Sequence, residues 1–308
     1  FILQIVFLFR YIFQSDLMVV QFAGYHSFLP AIFGRLSGKK TLIIAGGTDC
    51  VSYPAIGYGN FQKSLLGLFT RWSYRLCHHI SPKHDSLRFC EYGYDSSAPS
   101  KQGILAFMPE LDKPFTAIPN GYDAGFWHCV GEVRNKKTFI TVSSGLEYPF
   151  QTRLKGIDLI LDAAPELTDC TFTIVGVPEH IKLPLRSENV RVLPPADSAT
   201  LRKLYCQHAF YIQVSMAEGF PNALSEAMLC GCVPIGSSVF SIPEIIGENG
   251  FLLKSRNVND FKVLLKSASS LDTEVIGMQA SESIQTRFPI SRRKTELLEL
   301  VNSLIGDQ

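Results

Sequence analysis

Short runs of β-branched and other apolar residues alternate with helical patterns along most of the chain. Residues 16–20 and 41–45 are two such runs, and residues 27–36 between them have the character of a helical crossover. Parallel strands need a crossover of this kind, because a tight turn can only join antiparallel neighbours. The alternation therefore predicts an α/β fold built on parallel sheets.

The length of 308 residues predicts two domains at about 150 residues each. Strand-type runs begin again at residues 138–142, after a polar stretch at 131–137 that we interpret as the linker. We expect an N-terminal domain at 1–133, a second α/β domain at 134–288, and a terminal helix at 289–308.

Charge and cysteine content narrow the class of protein. The 29 basic and 28 acidic residues give a net charge of +1, which gives no sign of nucleic-acid binding. The eight cysteines show no disulfide framework, and no Asn-x-Ser/Thr acceptor is present, so we expect a reducing cytosol. The apolar stretch at 1–9 is too short to span a bilayer of about 30 Å and is predicted to be a buried helix.

Residues 61–76 predict an amphipathic helix. Its apolar stripe runs from Phe61 through Leu65 and Trp72, while Arg71 and Arg75 lie off that stripe. Packing of the stripe into its own domain is one interpretation. Binding to a membrane surface is the other, so peripheral association at the inner face of a membrane stays open.

The segment 215–234 is the richest in candidate functional residues. Glu218 follows a strand and lies in a loop with Gly219 and Pro221, and Glu226 lies in the first turns of the next helix. The first amides of a helix have no helical partner, so strand, loop and helix start together predict a phosphate site. Favourable placement in the helix dipole would also explain Glu226.

The whole of this segment, continued by the apolar run at 242–246, resembles the family 4 retaining glycosyltransferases of the GT-B type. Lys155-Gly156, the strand and turn at 173–176 and the segment 118–123 resemble other parts of the same family. The resemblance implies two Rossmann-like domains whose parallel sheets face a central cleft. It also implies that the first domain lacks its beginning here, because the family's glycine-rich first βα loop has no counterpart before Asp16.

Roles for individual residues follow from the resemblance. It implies that Glu218 contacts the donor sugar, Glu226 the ribose hydroxyls and Lys155 the diphosphate. A lysine and helix N-terminal amides would stabilise the charge that gathers on a leaving nucleoside diphosphate. The resemblance places further donor-side residues in the loop, at the helix start, in the turn after one strand and in the base-reading strand. These residues are Gly219, Phe220, Asn222, Ala223, Leu224, Gly176, Val192 and Leu193.

Two departures from the family pattern concern cations and the acceptor side. Ser143-Ser144-Gly145 stands where the family usually has an arginine, and Arg153 is either a substitute for it or a solvated arginine at a helix entry. A usual histidine-glycine pair is replaced by the turn at 46–49. There Gly47 would allow close approach of a sugar or phosphate, while Asp49 either binds the acceptor or caps the turn.

His26 is the third acceptor-side candidate, with a helix-entry role as its alternative. No Asp-x-Asp pair occurs in the sequence, so we expect no metal and no cofactor besides the nucleotide sugar as substrate. The scattered Cys77, His78 and His79 do not change this, because neighbours on a strand point to opposite faces.

The resemblance implies a retaining, metal-independent hexosyltransferase that acts on a glycan or lipid-linked acceptor, in bacterial surface polysaccharide assembly. Two alternatives are a non-catalytic donor-binding or scaffold protein and a GT-B epimerase or phosphorylase. The family's last helix crosses back to the N-terminal domain. We therefore expect residues 291–304 to pack against the first 130 residues.

Overall fold

The computed structural model describes residues 2–129 and 134–306. The chain forms two compact units, of which the first comprises Phe1–Gly121 with Ile290–Gln308 and the second Tyr122–Pro289. The linker predicted at 131–137 lies partly outside the described residues. The division at Gly121 precedes the predicted boundary at 133, because the Tyr122 backbone amide donates to the Phe288 carbonyl oxygen at 3.0 Å and thereby joins the second unit.

The first unit contains a three-stranded parallel sheet in the order β1-β2-β3. Its strands are β1 (Leu17–Gln21), β2 (Lys40–Ala45) and β3 (His79–Pro82), with a small antiparallel pair β4 (Cys90–Glu91) and β5 (Lys101–Gln102). Its helices are α1 (Ile2–Tyr11), α2 (Tyr25–Ser37), α3 (Ser64–Leu76), α4 (Ile104–Phe107) and the terminal α12 (Ile290–Gly306). β2 is the middle strand and is buried along nearly its whole length, as a covered parallel strand must be.

The terminal helix α12 packs onto this first unit. Leu300 and Leu304 form a core cluster with Leu42 and Ile118. At its first turn, the Arg293 guanidinium donates to the Ile118 and Pro119 carbonyl oxygens. The first unit is therefore built from two separate stretches of sequence.

Two sequence interpretations that bury apolar side chains in the first unit are wrong, namely the packing of the α3 stripe into its own domain and the burial of α1. The predicted stripe of α3 leaves Leu65 57% and Trp72 44% exposed, whereas the helix buries the small and polar side chains Gly67, Thr70 and Ser73. Small residues let α2 approach closely, and the hydroxyls of Ser27 and Ser73 hydrogen-bond at 2.8 Å. Hydroxyl bonding and close approach therefore decide which face of α3 is buried.

The N-terminal stretch is helical as predicted but is not buried. Leu8 is the one buried residue of α1, and Leu3 is 86% exposed. Among the described residues, no helix is both long enough and apolar enough to cross a membrane.

The second unit contains a six-stranded parallel sheet in the order β11-β10-β9-β6-β7-β8. Its strands are β6 (Asn135–Val142), β7 (Thr171–Val175), β8 (Val190–Leu193), β9 (His208–Gln213), β10 (Val233–Ser237) and β11 (Phe251–Leu253). Its helices are α5 (Pro149–Leu154), α6 (Ile157–Ala163), α7 (Ser198–Gln207), α8 (Asn222–Leu229), α9 (Ile242–Ile246), α10 (Val258–Ser269) and α11 (Thr273–Arg287).

Three stacked rings lie at the centre of this sheet. Phe139 on β6 stacks on Phe172 of β7 with ring centroids 5.1 Å apart, and on Phe210 of β9 at 4.8 Å. All three side chains are buried. Such ring pairs contribute beyond their buried area, so they hold the three central strands in register.

Candidate functional site

A cavity of about 430 Å³ opens in the second unit at the carboxyl ends of its strands. The loops after β6, β7, β8 and β9 contribute to its wall, together with the start of α8. Parallel α/β sheets bind ligands at this edge, because the loops there converge from several strands. The volume falls in the range of small-molecule sites.

Glu218 and Lys155 form an ion pair in the wall of this cavity. The Lys155 Nζ lies 2.6 Å from the Glu218 Oε1, and the two side chains are 23% and 15% exposed. The same oxygen accepts hydrogen bonds from the Gln213 Nε2 at 3.2 Å and the Ser215 Oγ at 3.1 Å. The carboxylate of Glu218 is thus held by three donors at the edge of the cavity.

A polar chain behind Glu218 holds its partners in place. The buried Tyr211 hydroxyl donates to the Gln213 Oε1, and the Gln213 Nε2 also donates to the Ser215 Oγ. Burial raises the pKa of Tyr211 well above its ordinary value, so this hydroxyl stays protonated and keeps donating. Neither Gln213 nor Ser215 is among the site residues predicted from the sequence. The sequence signal that could have found them is the presence of polar residues at the end of an apolar strand.

Gly156 brings Lys155 to the carboxylate. Lys155 is the C-cap of α5, and Gly156 follows at φ +71°, a left-handed conformation that favours glycine. A Cβ on Gly156 would lie 2.4 Å from the Val214 carbonyl oxygen. Only glycine allows this close approach, which sets Lys155 beside the end of β9 where the Glu218 loop begins.

Gly176 makes a similar approach on the other side of the cavity. Its φ is +100°, and an added Cβ would lie 2.0 Å from the Ser143 carbonyl oxygen. The Ser143 hydroxyl is buried and has no hydrogen-bond partner among the described residues, although Ser143 lines the cavity. A buried hydroxyl of this kind favours a ligand that accepts a hydrogen bond.

The start of α8 supplies the amides predicted from the sequence. Pro221 is its N-cap and gives no side-chain cap, and Asn222 and Ala223 line the cavity. The Asn222 side-chain oxygen accepts a hydrogen bond from the Tyr122 hydroxyl at 3.1 Å. Because no side chain caps this helix start, the first turn of α8 can accept an anion at the cavity.

Glu226 lies one turn further along α8 and does not line the cavity. Its carboxyl is partly buried, and this loss of solvent raises its pKa to about 7. Among the described residues, no side chain makes a hydrogen bond or ion pair with it. Glu226 is thus a carboxyl that is half ionised near neutral pH.

The structure brings some of the predicted donor-side residues to the cavity and leaves others outside its wall. Those that line it are Lys155, Glu218, Gly176, Asn222 and Ala223. Those that do not are Arg153, Glu226, Gly219, Phe220, Leu224, Val192 and Leu193.

The predicted residues outside the wall have other neighbours. Phe220 is buried and packs edge-on against Phe288 with ring centroids 5.1 Å apart. The Leu193 carbonyl oxygen accepts a hydrogen bond from the backbone amide of Gly176. This bond holds the turn that lines the cavity. Arg153 lies exposed in the last turn of α5.

In the first unit, Asp49 holds a turn together. Its side chain is 0% exposed and accepts hydrogen bonds from the amides of Ala23, Gly46 and Gly47 and from the Tyr74 hydroxyl. These contacts are those of a cap. Because that side chain is fully buried, the structure favours the cap of the turn over an acceptor contact through the Asp49 carboxylate.

The two other acceptor-side candidates lie near this turn. Gly47 adopts φ +141°, and its amide is engaged by Asp49. His26 is exposed in the first turn of α2, and its Nε2 pairs with the Gln21 carbonyl oxygen at 2.6 Å. That contact is the one expected of a helix-entry residue.

Comparison with known proteins gives a family match for part of the chain and a fold for nearly all of it. Residues 137–267 match the model of the family described as glycosyl transferases group 1. A component of the human phosphatidylinositol N-acetylglucosaminyltransferase is 31% identical over 159 residues, which cover 48% of this chain and 31% of that protein. The curated relatives are matched over 23% to 36% of their own length.

Solved structures resemble the chain over nearly its whole length. Sucrose-phosphate synthase from Thermosynechococcus elongatus aligns with a TM-score of 0.74 at 14% identity, over 99% of this chain and 78% of the other. Anabaena Alr3699/HepE in complex with UDP and glucose aligns with a TM-score of 0.73 at 15% identity, over 97% and 81%. The fold is that of the GT-B glycosyltransferases, as the sequence predicted.

Proposed function

We propose that this chain, whose second unit is a group 1 glycosyl transferase domain, transfers a sugar from a nucleotide-sugar donor to a glycan or lipid-linked acceptor. We further propose that the transfer retains the anomeric configuration and needs no metal ion. The observation that carries the proposal is the Lys155–Glu218 pair, which lies with the uncapped start of α8 in one cavity.

The donor diphosphate is best placed between Lys155 and the first amides of α8. Both carry positive charge or partial positive charge, and both face the same cavity. The unpartnered Ser143 hydroxyl adds a third hydrogen-bond donor at this place. A diphosphate would therefore meet donors from three separate elements.

The residues of this site support departure of a nucleoside diphosphate. Negative charge gathers on the phosphate as the glycosidic bond breaks, and Lys155 with the α8 amides stabilises it in a partly buried site. Glu218 accepts hydrogen bonds from donor sugar hydroxyls and orients the sugar, while Gln213 and Ser215 hold its carboxylate. We propose Glu226 as the partner of the ribose hydroxyls.

The acceptor is proposed at the level of its class. Two curated relatives are components of a phosphatidylinositol N-acetylglucosaminyltransferase, and such a name specifies a lipid acceptor for those proteins. For this chain we propose a glycan or lipid-linked acceptor in surface polysaccharide assembly, at the cytoplasmic face of a membrane. The acceptor would contact the first unit near Gly47 and His26.

Metal chelation is expected to leave turnover unchanged. Lys155 and the α8 amides supply the positive charge that a divalent cation gives to the diphosphate in other glycosyltransferases, and no Asp-x-Asp pair exists in the sequence to hold such a cation. We would measure release of nucleoside diphosphate from a panel of nucleotide sugars, with lipid and glycan acceptors, in EDTA or in Mg²⁺.

Three different outcomes test metal independence, retention and the donor site separately. Loss of turnover in EDTA that Mg²⁺ restores would contradict metal independence alone. Inversion of the anomeric configuration in the product, followed by NMR, would contradict retention. Failure of the chain to bind any nucleoside diphosphate would overturn the donor site itself.

Nucleotide affinity is expected to rise with pH through the titration of Glu226. Its pKa of about 7 lies above that of a free carboxyl, so the group is mostly neutral at pH 6 and mostly ionised at pH 8. The ionised form accepts two ribose hydroxyl bonds, whereas the protonated form accepts fewer. Calorimetry should show that Glu226→Gln weakens UDP binding by about tenfold more at pH 8 than at pH 6.

The stability of the protein should move in the opposite direction. Because the folded pKa of Glu226 is raised, folding binds a proton, so the stabilising contribution is present at low pH and is lost as pH rises through 7. Glu226→Gln should remove this pH dependence of unfolding. A ratio of UDP affinities that is the same at both pH values would show that Glu226 does not touch the nucleotide.

A further inference from the structure

Three cysteine side chains from different elements of the second unit meet at one place. Cys129 lies ahead of β6, Cys206 lies in the last turn of α7, and Cys230 is the C-cap of α8. Their sulfur atoms all lie within 4.8 Å of one another. Cys129 and Cys206 form a disulfide, and Cys230 is a buried free thiol.

The scattered cysteines predicted no disulfide framework, and the Cys129–Cys206 bond corrects that prediction. The two residues are 77 positions apart, so no spacing pattern in the sequence predicts their pairing. Only the fold brings them together, with a third thiol at the same point.

The disulfide continues a seam between α7 and the segment 122–129. The Arg202 guanidinium on α7 donates to the Phe126 carbonyl oxygen at 3.1 Å and lies 5.1 Å from the centre of its ring. The Trp127 and Tyr205 rings pack with centroids 5.9 Å apart. The Cys129–Cys206 bond thus fastens a segment that already contacts the helix.

Both helices of the cluster also reach the cavity. Leu201 on α7 lines it, as do Asn222 and Ala223 at the start of α8. Cys206 and Cys230 lie at the opposite ends of those helices. Forming or breaking a disulfide at these helix ends can therefore shift two parts of the cavity wall, namely Leu201 on α7 and the start of α8.

The local environment keeps Cys230 protonated in the folded protein. Burial raises the pKa of its thiol, and the neighbouring Cys232 raises it further, while Arg134 and Arg202 act in the opposite direction. Since a thiolate is the attacking species in exchange, reaction at Cys230 is slow under resting conditions. The Cys129–Cys206 bond therefore persists until the cluster opens or a reductant arrives.

We infer that Cys129, Cys206 and Cys230 form a thiol–disulfide switch, in which one bond either fastens the segment 122–129 to α7 or ties α7 to α8. The Cys230 thiolate attacks the Cys206 sulfur, the Cys129–Cys206 bond breaks, and Cys129 leaves as a thiolate that takes up the proton lost by Cys230. A dithiol reductant opens either bond to two thiols and is itself oxidised to a disulfide.

The Cys129→Ser variant tests the third thiol directly. After equilibration of the native chain with oxidised and reduced glutathione, alkylation and non-reducing peptide mass mapping should show Cys129–Cys206 in the wild type. The variant should instead show Cys206–Cys230, because the sulfur atoms of these two residues lie within 4.8 Å of each other. In Cys129→Ser/Cys230→Ser, Cys206 should be recovered as an alkylated thiol.

Two further measurements follow the consequence of the switch. Reduction of the wild type by dithiothreitol should lower the unfolding midpoint by about 5 °C or more, since it removes a bond that closes a long loop. UDP affinity should differ at least about threefold between the oxidised and reduced wild type. Cys170→Ser, a buried cysteine outside the cluster, should leave the linkages and both shifts unchanged.

The inference is overturned if Cys206 stays a free thiol in Cys129→Ser, or if all eight wild-type thiols are alkylated after the same treatment. It is also overturned if the reduced cluster holds one equivalent of zinc that a chelator removes, because the site would then bind a metal. A missing UDP response with the predicted linkages present would contradict the effect on the cavity. Absence of any UDP binding would count against the proposed function and not against the linkages.

Discussion

Glu218→Gln is expected to lower kcat by about a hundredfold or more, with a much smaller effect on folding. The substitution keeps the size of the side chain and removes the negative charge that Lys155 neutralises at 2.6 Å. A neutral amide accepts sugar hydroxyls weakly, and it places an N–H donor where Gln213 or Ser215 now donates. We would measure kcat and donor affinity with saturating acceptor.

The unfolding free energy should change by no more than about 1–2 kcal/mol, because the pair retains contact with solvent. Glu188→Gln is the matched control, since it removes one carboxylate charge from an exposed position of the same unit. Wild-type kcat and donor affinity in Glu218→Gln would refute the assignment of this residue.

Much of the fold could be predicted from strand patterns. The predicted run 138–142 falls within β6, and the run 41–45 falls within β2. Both are short apolar runs between polar turns, and burial on both faces leaves such a run few alternatives. The parallel arrangement followed because helical crossovers separate these strands.

The prediction for α3 failed because helix packing, and not the apolar pattern of the sequence, determines which face is buried. In α3 the apolar side chains Leu65 and Trp72 face outward, and the helix buries Ser73 against Ser27 because a hydroxyl pair and small residues let two helices approach. An amphipathic pattern measures which face is apolar. It does not measure which face fits a neighbour.

The site was predicted in part, for a reason that lies in its geometry. Lys155 and Glu218 are 63 residues apart, and their sequence motifs pointed to the same ligand. Gln213 and Ser215 carry no such motif, since their role depends on the direction of two side chains at the end of β9. Likewise, the two interpretations of Asp49 could be separated only by the hydrogen-bond donors that surround its carboxylate in space.

The charges of Lys155 and Glu218 neutralise each other across 2.6 Å. A donor that places its diphosphate by Lys155 and its sugar by Glu218 would redistribute this pairing without leaving a charge unpartnered, because Gln213 and Ser215 still donate to the carboxylate. The two residues should therefore act as a unit, and their substitutions should not be additive.

Lys155→Ala is expected to weaken binding of a nucleoside diphosphate by about 10- to 100-fold and binding of the matching nucleoside by less than about threefold. The lysine gives a charge-assisted hydrogen bond to phosphate, and its removal also leaves the Glu218 carboxylate to repel the ligand. The nucleoside carries no phosphate and feels neither effect. Calorimetric titration of UDP and uridine into both proteins measures the difference.

A control variant and a double-mutant cycle show whether this result is specific to Lys155. Lys203→Ala removes an exposed lysine of α7 in the same unit, so it should change neither affinity. In Lys155→Ala/Glu218→Gln the loss for the diphosphate should be smaller than the sum of the single losses, because the repelling carboxylate is gone. Equal losses for UDP and uridine in Lys155→Ala would show that the lysine orders the cavity without touching phosphate, and the diphosphate would then have to lie elsewhere.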